Sequence, residues 1–379
     1  MAGIYIHVPW CRKVCIYCDF HFSVSMRNKD GLLECMVNEI ELQKDYLGDA
    51  TIESVYFGGG TPSVLNPAEL HTILDKIRSR FNVSVNAEIS LEANPDDLSL
   101  SYLRDLNNLG INRLSIGVQS FFDDDLVWMN RRHDRKQSVQ SVEKSRKAGF
   151  NNISIDLIYG IPGMKPEKWK ENLKIAFKTQ ISHLSAYHLT LENKTVYFHK
   201  VSKGLMEEPD ETAGLQQFEI LMDNAEKEGF LHYEISNFCL PGRFSVHNTS
   251  YWLQKPYLGI GPSANSFNGS SRQWNIRNNS LYIKNIKEGI IPCESEDLDL
   301  YKRYNEYVLT SLRTMWGTDK QVIKKSFGNG LSEYFNRESL IFLDQGKLEQ
   351  SGSRIMLGRS GKFFADGIIS QLFWTDNGF

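Results

Sequence analysis

Over its first 240 residues the chain alternates short apolar strands with amphipathic helices, and that alternation leaves few folds open to it. Strands are expected at 5–8, 54–57, 88–92, 113–118, 153–159 and 183–189. Helices are expected between them, at 30–46, from Asn66 onward with Pro67 in the first turn, and at 99–109, 136–148 and 212–228. Proline is favoured at a helix start, and Gly110, Gly149 and Gly229 stand where the last three helices need a left-handed cap. Six βα units in series imply an α/β fold: a parallel sheet with right-handed crossovers, either doubly wound or curled towards a barrel. Six units are too few for a full eight-stranded barrel.

Just beyond the first strand come three cysteines, Cys11, Cys15 and Cys18, spaced C-x3-C-x2-C. Three thiolates on one short loop can hold three irons of a [4Fe–4S] cluster and leave the fourth iron open for a ligand. A zinc knuckle, or a chance grouping of buried thiols, is the plainer alternative, although a structural zinc ion usually takes four protein ligands. The loop's position favours chemistry, because barrel-type α/β proteins place their sites at the carboxyl ends of the strands.

Composition excludes more than it assigns. The chain has 379 residues, 41% of them apolar and 23% charged, which suits a globular protein of one large domain and a smaller one. A net charge of −3 without a long basic run gives no sign of nucleic-acid binding. No apolar run is long enough to span a bilayer, and residues 1–10 lack the marks of a signal peptide. Six cysteines in so long a chain make no disulfide scaffold. Three that must remain thiolates suit a reducing compartment, so a cytoplasmic location is expected. Cys35 falls in a helix and is expected to pack, while Cys239 and Cys293 are scattered.

Gly58-Gly59-Gly60-Thr61-Pro62 follows the second strand, and glycines let backbone approach a ligand closely. Glu92 and Gln119 close the third and fourth strands, and Asp156 interrupts the fifth. An ionised group inside an apolar strand is costly unless it is paired or bonds a ligand. A salt bridge explains any one of them; three at successive strand ends favour a shared polar ligand. Arg131 is a candidate countercharge to a carboxylate.

The C-x3-C-x2-C run after a first strand resembles the signature of the radical S-adenosylmethionine (SAM) superfamily. The resemblance implies a partial (β/α)6 TIM-like barrel, open on one side, with SAM chelating the fourth iron. Further segments narrow it: Tyr5-Ile6-His7-Val8-Pro9-Trp10-Cys11, the GGGTP turn, Glu92-Ala93-Asn94-Pro95, Gly117-Val118-Gln119-Ser120-Phe121, Asn130-Arg131 and Ile155-Asp156-Leu157-Ile158-Tyr159-Gly160. Together they resemble the HemN/HemW family, which contains the oxygen-independent coproporphyrinogen III dehydrogenase. By that resemblance Cys11, Cys15 and Cys18 ligate the cluster, and Tyr5, Gly59 and Glu92 contact the cluster-bound SAM. Tyr17, Gly60, Thr61, Gln119, Arg131 and Asp156 complete the cofactor surroundings.

Two departures count against the dehydrogenase itself. Its cysteine run continues with a fourth cysteine where Phe20 stands here, and its N-terminal extension has no room before Cys11. Both features resemble instead the haem-chaperone branch, as does His247-Asn248-Thr249-Ser250-Tyr251-Trp252, an HNxxYW motif associated with haem in that group. A neutral imidazole is a good haem ligand, and Tyr251 and Trp252 offer flat faces to a porphyrin. His247 is accordingly the candidate haem ligand. The function implied is delivery of haem to an acceptor protein, such as one of the respiratory chain, with a flavodoxin or ferredoxin as electron donor. The dehydrogenase reaction is the alternative.

Domains are expected at 1–240 (barrel), 241–296 (a connecting region carrying HNxxYW) and 297–379. The last reads as a helix over 298–315, shorter segments, a strand at 355–357 and a final helix near 364–373. That is a mainly helical, winged-helix-like module without a basic recognition helix.

Overall fold

A computed structural model describes residues 1–375, so the last four residues of the C-terminal region expected at 297–379 lie outside the described residues. Six parallel strands pair in chain order: β1 (Ala2–Val8), β2 (Ile52–Gly59), β3 (Val83–Ala93), β4 (Arg113–Gln119), β5 (Asn152–Tyr159) and β6 (His183–His188). Each crossover adds a strand on the same side of the one before. Right-handed connections then put every helix on one face, and the sheet curls about the other as a partial barrel. The helices are α1 (Lys29–Leu42), α2 (Pro67–Arg80), α3 (Leu100–Asn108), α4 (Asp123–Trp128), α5 (Arg135–Lys147), α6 (Pro166–Lys178), α7 (Val196–Ser202) and α8 (Glu211–Lys227). Asn66 caps α2 in a capping box with Glu69, and Gly110, Gly149 and Gly229 all take positive φ, as their positions demanded.

The strands are buried on both faces, but the faces differ. Ile4, Ile6, Val8, Val55, Phe57, Leu91, Leu114, Ile116, Ile155 and Leu157 point outward and meet the helices with almost no exposure. Alternate residues point inward: Tyr5 and His7, Ser54 and Tyr56, Ser90 and Glu92, Ser115, Ser154 and Asp156. A barrel filled only for stability would carry branched aliphatics there. This polar lumen is a site.

Residues 231–297, which show little helical period, extend the sheet at both ends. β7 (Leu231–Glu234) and β8 (Asn237–Cys239) add antiparallel beyond β6. At the other edge β9 (Tyr257–Ile260) pairs parallel with β1, followed by antiparallel β10 (Asn265–Phe267), β11 (Ser271–Asn275) and β12 (Cys293–Asp297). Two helices belong to this stretch, α9 (Val246–Trp252) and α10 (Asn279–Lys287).

A second core, centred on Tyr304, Val308, Phe335 and Ile355, holds the C-terminal module. Its helices are α11 (Leu300–Leu312), α12 (Lys320–Asp344), broken at Gly328 where φ is 89°, and α13 (Ala365–Gln371). The three-stranded sheet has β15 (Arg354–Leu357) between β13 (Thr318–Asp319) and β14 (Leu348–Ser351), and β14 and β15 form a hairpin. No helix among the described residues is long and apolar enough to cross a membrane.

Candidate functional site

The cysteine loop crosses the carboxyl end of the barrel and is tied down largely through its backbone. Cys11 N–H donates to Ser23 O and Ser23 N–H to Pro9 O (3.0 and 2.8 Å). Asn130, held at φ 62°, donates from Nδ2 to Val14 O at 2.7 Å. Tyr197 N–H, at the start of α7, donates to Ile16 O at 2.7 Å.

Cys11, Cys15 and Cys18 line one cavity of about 420 Å³, a ligand-sized volume, together with Tyr17, Gly59, Gly60, Thr61, Glu92, Gln119, Arg131 and Asp156. Eleven of the thirteen residues singled out from sequence therefore meet at one place. Among the described residues no three His, Cys, Asp or Glu side chains converge to hold a single ion. Three cysteine thiolates on one short loop, lining one cavity, are the usual donors of an iron–sulfur cluster. The donor set fits a cluster.

Hydrogen bonds bind the loop to the strand ends. Thr61 Oγ1 donates to Cys11 Sγ (3.3 Å) and accepts from Asn94 Nδ2 (3.5 Å). Arg131 Nη2 donates to Asn94 Oδ1 and Gly117 O (both 2.7 Å), and Nη1 to Cys15 Sγ (3.2 Å). Arg131 Nε is buried without a partner. A guanidinium among the cavity's lining residues and beside a cysteine sulfur supplies positive charge that suits thiolates and a carboxylate ligand.

Glu92 Oε1 accepts from Tyr56 OH (2.8 Å) and Oε2 from Gly59 N–H (3.2 Å). Burial, with Asp156 nearby, pushes its carboxyl up to about 7 against those two donors. Burial likewise lifts Asp156 to about 6, with Ser115 Oγ donating to it at 3.2 Å. Two carboxyls facing one cavity, each desolvated, suit a cationic amino group or sugar hydroxyls. Gln119 has φ 66° at a register shift between β4 and β5, and such backbone strain is common at ligand sites.

The three glycines of the GGGTP turn are needed by the protein's own packing. A Cβ on Gly59 (φ 107°) would lie 2.7 Å from the His7 ring, and one on Gly60 would lie 2.7 Å from Trp10 O. Gly59→Ala is therefore expected to cost about 1–3 kcal/mol. A urea-unfolding midpoint matching the parent's would refute that.

Tyr5 and His247 lie outside the cavity, one and two layers below it. Tyr5 stacks on Tyr56 (6.1 Å between ring centroids) and bonds His7 Nδ1 at 3.2 Å. His247, on α9, is 1% exposed inside the lumen. Its Nδ1 is 2.8 Å from Ser54 Oγ and its Nε2 2.6 Å from Tyr251 OH. With both ring nitrogens engaged and no open approach, His247 does not fit an axial haem ligand while α9 stays in place.

Sequence reasoning passed over Tyr56, which aims Glu92, and gave Asn94 no role, though it joins Thr61 to Arg131. It also missed His188 at the end of β6. That ring lines the cavity, wedged where a Cβ on Gly160 or Gly214 would clash. Only the polar character of alternate strand positions hinted at Tyr56.

The strand order, the three-cysteine loop and the polar lumen define a radical SAM protein. The Radical SAM superfamily model matches residues 5–176, and the HemN C-terminal domain model matches 298–364. The chain is 32% identical over 372 residues to a Bacillus subtilis protein named heme chaperone HemW, covering 97% of this chain and 98% of that one. Its identity to the Lactococcus lactis protein of the same name is 33%, over 96% and 97%. The chain belongs to the HemW family of radical SAM proteins, and that family membership implies a [4Fe–4S] cluster and SAM. Among solved structures, Escherichia coli coproporphyrinogen III oxidase (HemN) superposes with a TM-score of 0.86, covering 98% of this chain and 90% of that one. At 22% identity that likeness speaks for the fold.

Proposed function

We propose that this protein is a haem chaperone, which binds haem, carries a SAM-ligated [4Fe–4S] cluster and passes haem to an acceptor protein. The observation that carries the reading is identity of 30% or more, across nearly the whole of both chains, to proteins named heme chaperone HemW. Phe20 at the place of the dehydrogenase's fourth cysteine supports it.

Cys11, Cys15 and Cys18 hold the cluster, and Thr61 and Arg131 stabilise thiolate charge on two of them. Glu92, Gly59 and Tyr17, which line the same cavity, would contact the bound SAM, with Tyr5 supporting from below through Tyr56. Gly60, Thr61, Gln119, Arg131 and Asp156 complete the walls. Glu92 would receive an amino group, Arg131 would supply the countercharge to a carboxylate, and Asp156 would receive hydroxyls. A cluster held there, with SAM on its open iron, would supply one-electron reductive chemistry at this end of the barrel. The electron comes from a flavodoxin- or ferredoxin-like donor in a cytoplasmic setting, and the acceptor is a haem protein such as one of the respiratory chain.

The test pairs two assays on one anaerobic, cluster-loaded preparation. A haem titration is expected to saturate near one haem per chain, while coproporphyrinogen III gives no porphyrin fluorescence above a blank. Steady protoporphyrin formation without haem binding would transfer the chain to the dehydrogenase reading.

A further inference from the structure

His247 sits within the barrel wall, and its neighbours run upward to the cofactor cavity. Helix α9 is a plug at the amino ends of the strands. Ser245 Oγ accepts from Asn248 N–H to cap it (3.3 Å), and His247 touches three adjacent strands. Its Nδ1 bonds Ser54 on β2, and its backbone N–H donates to Glu88 Oε1 on β3 at 3.3 Å. On β1, a Cβ added to Gly3 would stand 2.9 Å from Ser54 Oγ and 3.2 Å from the imidazole. The other nitrogen bonds Tyr251, whose ring packs edge-on against Tyr257 of β9 at 4.4 Å.

The imidazole face lies nearly parallel to the Tyr56 ring, with centroids 5.0 Å apart and planes at 21°. Tyr56 in turn stacks on Tyr5 and donates its hydroxyl to Glu92. Burial keeps His247 neutral, its pKa pushed down to about 3. A neutral imidazole has one donor and one acceptor nitrogen, and a hydroxyl can serve either, so Ser54 and Tyr251 satisfy both in either tautomer. A buried polar group satisfied on all sides holds its own orientation and that of its neighbours. Asn248, one residue on, lines a small polar chamber with Glu92 and Asp156. At the far end of α9 the Arg313 guanidinium lies 6.0 Å above Trp252 and ties the plug to the C-terminal module.

We propose that His247 is a positioning residue of the cofactor site, propping the Tyr56–Glu92 arm from below, and that the haem iron takes its ligand elsewhere. The inference rests on Glu92 as the seat of the SAM amino group. It makes the HNxxYW segment a structural link between the C-terminal module and the cluster end of the barrel.

The test measures SAM affinity, through the change SAM makes in the electron paramagnetic resonance spectrum of the reduced cluster, alongside haem affinity by titration. Full-length, cluster-loaded parent, His247→Ala, Tyr56→Phe, the double variant and Glu92→Gln are compared. His247→Ala and Tyr56→Phe are each expected to weaken SAM about tenfold, as outer partners of a ligand-holding group do. Iron, sulfide and haem affinity stay at parental values. The double variant is expected to lose little more than either single one, because the two residues act through the same arm; a merely loosened fold would give additive losses and overturn the proposal. Parental SAM affinity in His247→Ala together with lost haem binding also overturns it. Should His247→Ala fail to fold, parental SAM affinity in Tyr56→Phe does the same. Glu92→Gln checks the underlying reading separately: it should abolish SAM binding, and if it does not, the seat is wrong and the prop falls with it.

Discussion

Cys15→Ala is expected to leave a folded protein without a cluster, with iron and sulfide both falling to background after anaerobic reconstitution. The cysteine loop is fixed by backbone and amide contacts, among them Asn130 to Val14 O and Ser23 to Pro9 O, and none of these depends on the Cys15 sulfur. What the variant loses is one of three thiolates. A cube held at two corners has a second iron bare to solvent, and no other cysteine is placed to replace the third. Cys35 and Cys239 are buried, and Cys293 bonds Gln273 at the far edge of the extended sheet. Removing the sulfur also frees Arg131 Nη1, leaving a guanidinium beside an empty corner. Circular dichroism should match the parent's, while visible absorbance and SAM binding vanish together. Parental iron and sulfide in Cys15→Ala would mean that the three cysteines do not hold the cofactor.

The six core strands were legible because each carries its own local signal, an apolar run of four to eight residues ending at a turn. The cofactor cavity was legible for a related reason: Glu92, Gln119 and Asp156 break apolar runs, and a polar residue in such a place stands out without knowledge of its partners. What stayed hidden depends on long-range contacts. Tyr56 looks like an ordinary strand aromatic until Glu92 is seen 36 residues away. Strands β7 to β12 are three to five residues long, too short for a period to show. Helix α9 has seven residues, and nothing in their order says that they lie inside a barrel; Ser54 and Glu88, which hold His247 there, are 193 and 159 residues distant. The HNxxYW motif suggested a porphyrin site, with His247 as ligand and Tyr251 and Trp252 as its flat faces. In the fold Tyr251 packs against His247 and Tyr257, and Trp252 lies beneath the Arg313 guanidinium.

The same kind of hidden contact makes Glu39 the side chain whose loss should destabilise the fold most. It lies on the buried face of α1, between Met36 and Ile40, where a periodicity argument expects an aliphatic residue, and it is fully buried. Burial raises its carboxyl above the ordinary carboxylate range, and four donors oppose that rise. Oε2 accepts from Gly261 N–H (2.7 Å) and from the Tyr282 hydroxyl, and Oε1 from Asn275 Nδ2 (2.6 Å) and Gln43 Nε2 (2.9 Å). Those donors come from the turn after β9, from α10, from β11 and from the residue that follows α1. One carboxyl thus closes the seam between the parallel barrel and the antiparallel strands added at its edge. Glu39→Ala deletes every acceptor at once. The Gly261 N–H and the Tyr282 hydroxyl lose their partner in a site closed to water, at about 1–3 kcal/mol for each group, and the missing side chain leaves a void among packed neighbours. Asn275 keeps its bond to Gly261 O, so its share is smaller. The total expected is about 3–5 kcal/mol, comparable to breaking a buried ion pair. It should appear in urea unfolding as a lower midpoint, or as an early transition in which the outer strands separate from β1. A midpoint shift equivalent to less than about 1 kcal/mol, the worth of one ordinary hydrogen bond, would show that the seam is held by the β1–β9 ladder and not by the carboxyl.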